Sequence, residues 1–228
     1  MCTDQGEEEK RRTMKTTTLL FSDEMVRAIL QDRKTQTRRV LKQVAGMNVT
    51  YQGVNALDEH LFYGNIADAA ITVPIKYKAG DRILVKETAW LWCEQVPDGK
   101  TNGGRNKYRY QVNMNAPVFY AADNPKKPSI AVPSPDTGNK WGWRKKPGRF
   151  VPNQLCRITL EVVDENVGRL QDIDFNGCDA EGVNWRGEQG ISARQLFKEL
   201  WESINGAGSW SENPYVRVVD FKRMQPCR

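Results

Sequence analysis

The sequence predicts an α+β domain in which short strands build a compact β-barrel and two amphipathic helices pack on it. Three observations predict this. Met25, Val26, Ile29 and Leu30 repeat at helical spacing, and so do Leu196, Phe197, Leu200, Trp201 and Ile204. Between these helices the apolar runs are short, and Cys156 to Val163 alternates, with Ile158, Leu160 and Val162 on one face and Thr159 and Glu161 on the other. The chain has 228 residues, 39% of them hydrophobic, which suffices for one sizeable core. Strand runs interrupted by helices then point to a barrel with helices laid against it.

The elements follow in order. Met1 to Lys15 is acidic and then basic with no hydrophobic stretch, so it is not a secretory signal. Residues 1–16 read as a flexible tail, and Met14 is a possible alternative start. Residues 17–228 read as a single domain. Thr18 to Phe21 is a short strand. Ser22 caps the first helix, with Asp23 and Glu24 favourable in its first turn. Residues 41–76 lack regular periodicity, and Gly46, Gly53 and Gly64 mark turns. Lys78-Ala79-Gly80-Asp81 is a turn leading into a strand from Arg82 to Thr88. An insertion covers about residues 91–152, rich in proline, glycine and basic residues and partly ordered by its aromatics. Ser192 and Gln195 form a capping-box pattern for the last helix, which ends at Asn205-Gly206. Tyr215 to Phe221 is a closing strand.

Composition narrows the function classes. The net charge of +6 suits contact with phosphates without requiring it. The five cysteines, Cys2, Cys93, Cys156, Cys178 and Cys227, are scattered and never spaced CxxC, which argues against a disulfide framework or a zinc site. Reduced thiols fit a cytoplasmic protein. The single histidine, His60, cannot build a His-rich metal site and makes a Ser-His-Asp triad a poor candidate. No metal and no cofactor is expected. No apolar stretch approaches the ~20 residues of a membrane span, so no membrane partner is expected either.

Asp32-Arg33-Lys34-Thr35-Gln36-Thr37-Arg38-Arg39 is the most informative segment. It packs cations, hydroxyls and an amide together with nothing apolar. Such a run is a solvated surface, an anion grip, or a catalytic centre in which Lys34 activates a threonine hydroxyl. Side chains alternate along a strand. A straight strand therefore groups Thr35, Thr37 and Arg39 on one face and Lys34, Gln36 and Arg38 on the other, which suits anion or nucleic-acid contact. The catalytic reading needs a bend between residues 34 and 37.

In order and spacing these pieces resemble the ASCH domain family of PUA-like β-barrels. The match rests on the helix followed by Arg33 to Arg39, on Gly80-Asp81-Arg82-Ile83-Leu84-Val85-Lys86-Glu87-Thr88, on Cys156-Arg157-Ile158-Thr159-Leu160-Glu161-Val162, on Asp179-Ala180-Glu181-Gly182-Val183, and on the last helix with Asn213-Pro214-Tyr215-Val216. The long, tryptophan-rich middle is similar to that of the larger bacteriophage and prophage members, which would place the protein in a bacterial host cell. Where those members carry Met-Pro-Arg-Trp, this chain has Val151-Pro152-Asn153-Gln154.

Small bacterial ASCH proteins are amidohydrolases that remove the acyl group of N4-acetylcytidine, using a Lys, a Thr three residues on, and a Glu before the last helix. The resemblance implies Lys34, Thr37 and Glu181 for these roles, and a modified nucleoside or nucleotide as substrate. It equally implies a non-catalytic RNA- or DNA-binding module and, more weakly, a ribonuclease. Candidate binding residues are Arg33, Thr35, Arg38 and Arg39, with Glu87 as pocket lining or an arginine's partner. Trp90, Trp141 and Trp143 are candidates for base stacking or core packing. Lys140, Arg144, Lys145, Lys146 and Arg149, interleaved with Trp141 and Trp143, make the best nucleic-acid patch, or a solvated loop.

Overall fold

The computed structural model describes residues 13–64, 70–183 and 192–225. Three sheets and three helices organise them, and the architecture is α+β. The main sheet contains β1 (Thr16–Leu20), β6 (Arg82–Lys86), β11 (Thr159–Arg169), β12 (Tyr215–Arg223) and β2 (Gln36–Val40), side by side in that order. β1 runs parallel to β6 and every other neighbour is antiparallel. Among the described residues β1 and β2 are the two edges and do not pair with each other, so the main sheet is open where a closed barrel is expected. α1 and α3 pack on this sheet through two apolar clusters.

The expected helices are present as α1 (Asp23–Leu30) and α3 (Ala193–Asn205), and a short α2 (Phe175–Ala180) joins them. Ser22 and Ser192 cap the two long helices by accepting hydrogen bonds from the amides of Met25 and Gln195. Alternation along β12 supplies two cores. Val219 and Phe221 join Met25, Val26 and Ile29 of α1 with Ile83, Leu160 and Val162. Val216 joins Phe197 and Trp201 of α3 with Leu170, Ile173, Cys178 and Trp210. Each of these buried side chains contributes about 1.5–3 kcal/mol relative to exposure.

Two regions depart from expectation. Residues 41–76 hold an antiparallel sheet of β3 (Val49–Val54), β4 (Glu59–Gly64) and β5 (Ala70–Pro74), packed around Phe62, Val73 and Tyr215. The insertion forms the third sheet from β7 (Ala89–Lys100), β8 (Asn106–Val112), β9 (Phe119–Tyr120) and β10 (Lys140–Lys146). The expected tail is also shorter: Thr16 pairs with Arg82, and the Lys15 amide donates to Asp81 Oδ1 at 3.0 Å. The tail's residues 1–12, with Cys2, and the C-terminal Cys227 lie outside the described residues. Cys93, Cys156 and Cys178 are free thiols. No helix among the described residues is long and apolar enough to cross a membrane.

Candidate functional site

The segment after α1 is fastened to three elements at once. The amides of Arg33 and Lys34 both donate to the Ala28 carbonyl of α1, at 2.9 and 3.2 Å. The Thr35 amide donates to Ala180 O at the end of α2, and Thr35 O accepts from the Phe221 amide of β12, both at 2.8 Å. Lys34 thereby faces Glu181 in an isolated antiparallel bridge. Glu181 itself ends α2, whose first turn is capped by Asp174 accepting from the Gly177 amide at 2.7 Å. Gly182 follows with φ of +83°, and a Cβ there would lie 2.9 Å from the Cβ atoms of both Ala28 and Lys34. Only glycine accepts that backbone angle and that contact together.

Lys34 is 2% exposed and Glu181 3%. Lys34 Nζ donates to Glu181 Oε2 at 2.5 Å, to Glu181 O at 3.0 Å and to Gln36 O at 2.8 Å. Three donors meet three acceptors, which suits an ammonium ion. Burial lowers the Lys34 pKa from its ordinary value, and the adjoining Glu181 carboxylate opposes that shift while Arg39 and Arg38 add to it. Arg38 completes the group: its NH1 donates to Glu181 Oε1 at 3.3 Å and to Gln36 Oε1 at 2.5 Å. Gln36 Nε2 in turn donates to Asp220 Oδ1 at 2.7 Å.

Thr37 is fully buried, and its hydroxyl has no hydrogen-bond partner among the described residues. It sits across from Val219 in β2's pairing with β12, on the α1 side of the sheet. Arg39 shares that side and stacks 5.4 Å over the Phe21 ring. Gln36 and Arg38 alternate to the side that meets Glu181. The structure thus joins Lys34 to Glu181 and Arg38, in the grouping of a straight strand. It does not hydrogen-bond Lys34 to Thr37.

Glu181 borders two adjoining clefts between α1 and α3. One, of about 350 Å³, is lined by Met25, Ala28, Arg33, Leu196 and Leu200 besides Glu181. The other, of about 230 Å³, is lined by Arg38, Arg39, Phe197, Leu200, Trp201 and Glu181 among others. Lys34 and Thr37 do not contribute to either lining. Arg33 reaches the Gly182 carbonyl at 3.0 Å, while Thr35 is exposed.

The remaining candidates lie elsewhere. Glu87 is buried and paired with Arg157, at 2.9 and 3.1 Å. Burial raises its carboxyl pKa against the pull of Arg157. Arg157 also binds Asp123 and stacks 4.0 Å over Tyr120, whose hydroxyl burial and Glu87 push up to about 12. Trp143 is buried, edge-on to Trp92 at 5.2 Å and to Phe119 at 5.1 Å, and is therefore core of the insertion sheet. Trp90 and Trp141 are half-buried on that same sheet. Lys145 is exposed, and Lys146 Nζ stands 5.5 Å from the Tyr110 ring.

Sequence reasoning missed two features. Gln36 links Arg38 to Asp220, a role its position in a basic run did not signal. His60 is also functional within the fold: its Nε2 lies 3.1 Å from Glu165 Oε1, and Glu165 accepts from Arg217 Nε at 2.7 Å and the Tyr77 amide at 2.7 Å. Among the described residues no group of His, Cys, Asp or Glu is arranged to hold a metal ion. No protein-family model, curated protein or solved structure matches this chain.

Proposed function

We propose that this protein is an ASCH-type, PUA-like hydrolase that removes the acyl group of an N4-acylcytosine nucleoside or nucleotide. The observation that carries the reading is the buried Lys34–Glu181 pair. The resemblance selects these two residues, 147 positions apart, and their side chains meet at 2.5 Å, with Glu181 bordering a cleft and Lys34 buried behind it. Burial favours the neutral amine of Lys34, and Glu181 Oε2 is the acceptor within reach of its proton.

Neutral Lys34 then accepts the proton of the Thr37 hydroxyl. Its Nζ already contacts Gln36 O, the carbonyl joined directly to the Thr37 amide nitrogen. The amine must turn from that carbonyl to the unpartnered hydroxyl. Thr37 is fully buried and lines neither cleft, so its attack also requires the strand to bend between residues 34 and 37 and bring the hydroxyl to the Glu181 side. Thr37 Oγ1 bonds to the acyl carbon, Arg38 stabilises the oxyanion, and Glu181 returns its proton to the departing N4 nitrogen. Water cleaves the resulting threonyl ester and releases the carboxylic acid. The sum is amide plus water giving amine plus acid.

The test is acetate release from N4-acetylcytidine and its 5′-phosphate. Wild type is expected to turn over, and Lys34→Ala and Glu181→Gln to lose at least about 10²-fold. No release across a panel of acylated cytosine nucleosides and nucleotides would sink the proposal. A specific observation favours a second reading, a non-catalytic RNA- or DNA-binding module. All three Lys34 donors are occupied and Thr37 alternates away from Glu181, so the pair also serves as a structural clamp beside the segment's arginines, of which Arg33 is exposed and Arg38 and Arg39 are half-buried. That reading requires oligonucleotide affinity that falls steeply with salt.

A further inference from the structure

Beside the Glu181 clefts lies a groove of about 480 Å³ lined by Thr18, Leu20, Arg39, Lys86, Arg149 and Ile204, together with Leu19. Its lining holds three cations and no carboxylate. None of the three forms an ion pair with a carboxylate among the described residues, although this chain pairs its cations freely elsewhere, as at Arg157–Glu87 and Arg217–Glu165. Cations gathered around one concavity without a direct carboxylate partner are an arrangement that binds an anion, although the Glu181 carboxylate acts on Arg39 from a distance.

The groove is built rather than incidental. Lys86 is 8% exposed, and its Nζ is tied to the Val151 carbonyl, leaving further N–H donors available. Arg149 sits in the 3-10 turn Gly148–Phe150. A Cβ at Gly148 would come within 2.8 Å of the Lys86 carbonyl carbon and oxygen, so only glycine lets this turn rest on β6 and bring Arg149 beside Lys86. Arg39 is held from below by the Phe21 ring and by donation of its NH2 to Leu20 O at 2.8 Å. Thr18 is exposed on the same edge of β1 and adds a hydroxyl donor. Arg39 and Ile204 line both this groove and the cleft that Glu181 borders, so the two concavities adjoin.

We propose that this groove holds the phosphate of a nucleotide whose base lies in the adjoining Glu181 cleft, which makes the substrate a phosphorylated nucleotide rather than a free nucleoside. Placing the base there rests on the reading under "Proposed function"; the phosphate contact does not. The phosphate is either the monoester of a mononucleotide or a diester of a polynucleotide, and the chemistry is the same.

Binding of cytidine, cytidine 5′-monophosphate and a short oligocytidylate to the full chain, titrated calorimetrically at low salt, tests it. None carries an acyl group, so binding is read without hydrolysis, and failure of the amidohydrolase reading leaves this result standing. Cytidine 5′-monophosphate is expected to bind at least about tenfold more tightly than cytidine, the scale of one charge-assisted hydrogen bond to a phosphate. Arg149→Glu, at an exposed position, is expected to abolish that preference with an unchanged unfolding temperature, while Lys222→Ala, on a strand away from the groove, keeps it. An oligonucleotide binding much more tightly than the monophosphate assigns the groove to a polynucleotide backbone, and equal binding assigns it to a mononucleotide. Equal affinity for cytidine and its monophosphate, or a preference that survives Arg149→Glu, overturns the proposal.

Discussion

Replacing Glu181 by Gln keeps the shape of the site and removes one charge. In the wild type the Lys34 ammonium is buried and answered by one carboxylate and two carbonyls. In Glu181→Gln the carbonyls remain and the counter-charge is lost. Breaking a buried pair in this way costs about 3–5 kcal/mol, and the retained hydrogen bonds put the expected loss near the lower end, about 3 kcal/mol at pH 7. For a chain of this size that is a fall of about 6–12 °C in Tm. The pH dependence identifies the cause. Burial holds the folded Lys34 pKa below its unfolded value of 10.5. Between those two values the unfolded chain binds more protons, so stability rises with pH, by at most about 1.4 kcal/mol per unit. Without Glu181 the folded pKa falls further, and the variant begins to recover at lower pH than the wild type. Urea unfolding of both proteins from pH 7 to pH 10 is therefore expected to show a gap that narrows as pH rises. A gap that is constant with pH, or one below about 1 kcal/mol at pH 7, would refute an ammonium–carboxylate pair at this position.

Further outcomes follow from the same geometry. Thr37→Val removes an unpartnered buried hydroxyl, so stability by thermal unfolding should hold or rise by about 1 kcal/mol while acetate release is lost; retained activity would remove Thr37 as nucleophile. Gly182→Ala forces a side chain into a positive φ and against Lys34, and should cost at least about 2 kcal/mol in urea titration. Phe197→Ala should cost about 3–5 kcal/mol by opening a void beneath Arg38. Glu165 is buried, which raises its pKa, yet the bonds from His60 and Arg217 outweigh burial and hold it below 4.5. Its stabilisation is thus present above 4.5 and lost as pH falls through the folded value, so Glu165→Gln should flatten the acid limb of the stability curve measured by circular dichroism.

Periodicity made α1, α3 and β11 readable because each has one apolar stripe facing one core. The sheet of β3 to β5 was hidden for a physical reason. Its strands are short, Gly53 sits at a bulge opposite β4, and Phe62 and Val73 pack against Tyr215, far off in sequence. Whether the barrel closes was not legible, because strand runs do not reveal which edges pair; among the described residues β1 and β2 remain unpaired with each other. Within the site, Lys34 and Glu181 were legible through motif order. The alternation that turns Thr37 toward Val219 followed from strand geometry alone. The pairing of Glu87 with Arg157 was one of two readings left open by the sequence. The burial of Trp143 depends on Trp92 and Phe119, partners brought together only by the insertion's own sheet.

The fastening of Thr35 to both Ala180 and Phe221 bears on how the protein is made. Among the described residues β2 finds its only strand partner in β12, and Lys34 finds its counter-charge on Glu181. On the ribosome, the basic segment emerges before Glu181 and β12 and has neither partner until they are synthesised. Until then Lys34 lacks its counter-charge and β2 its neighbour in β12, so the site is completed only when β12 docks.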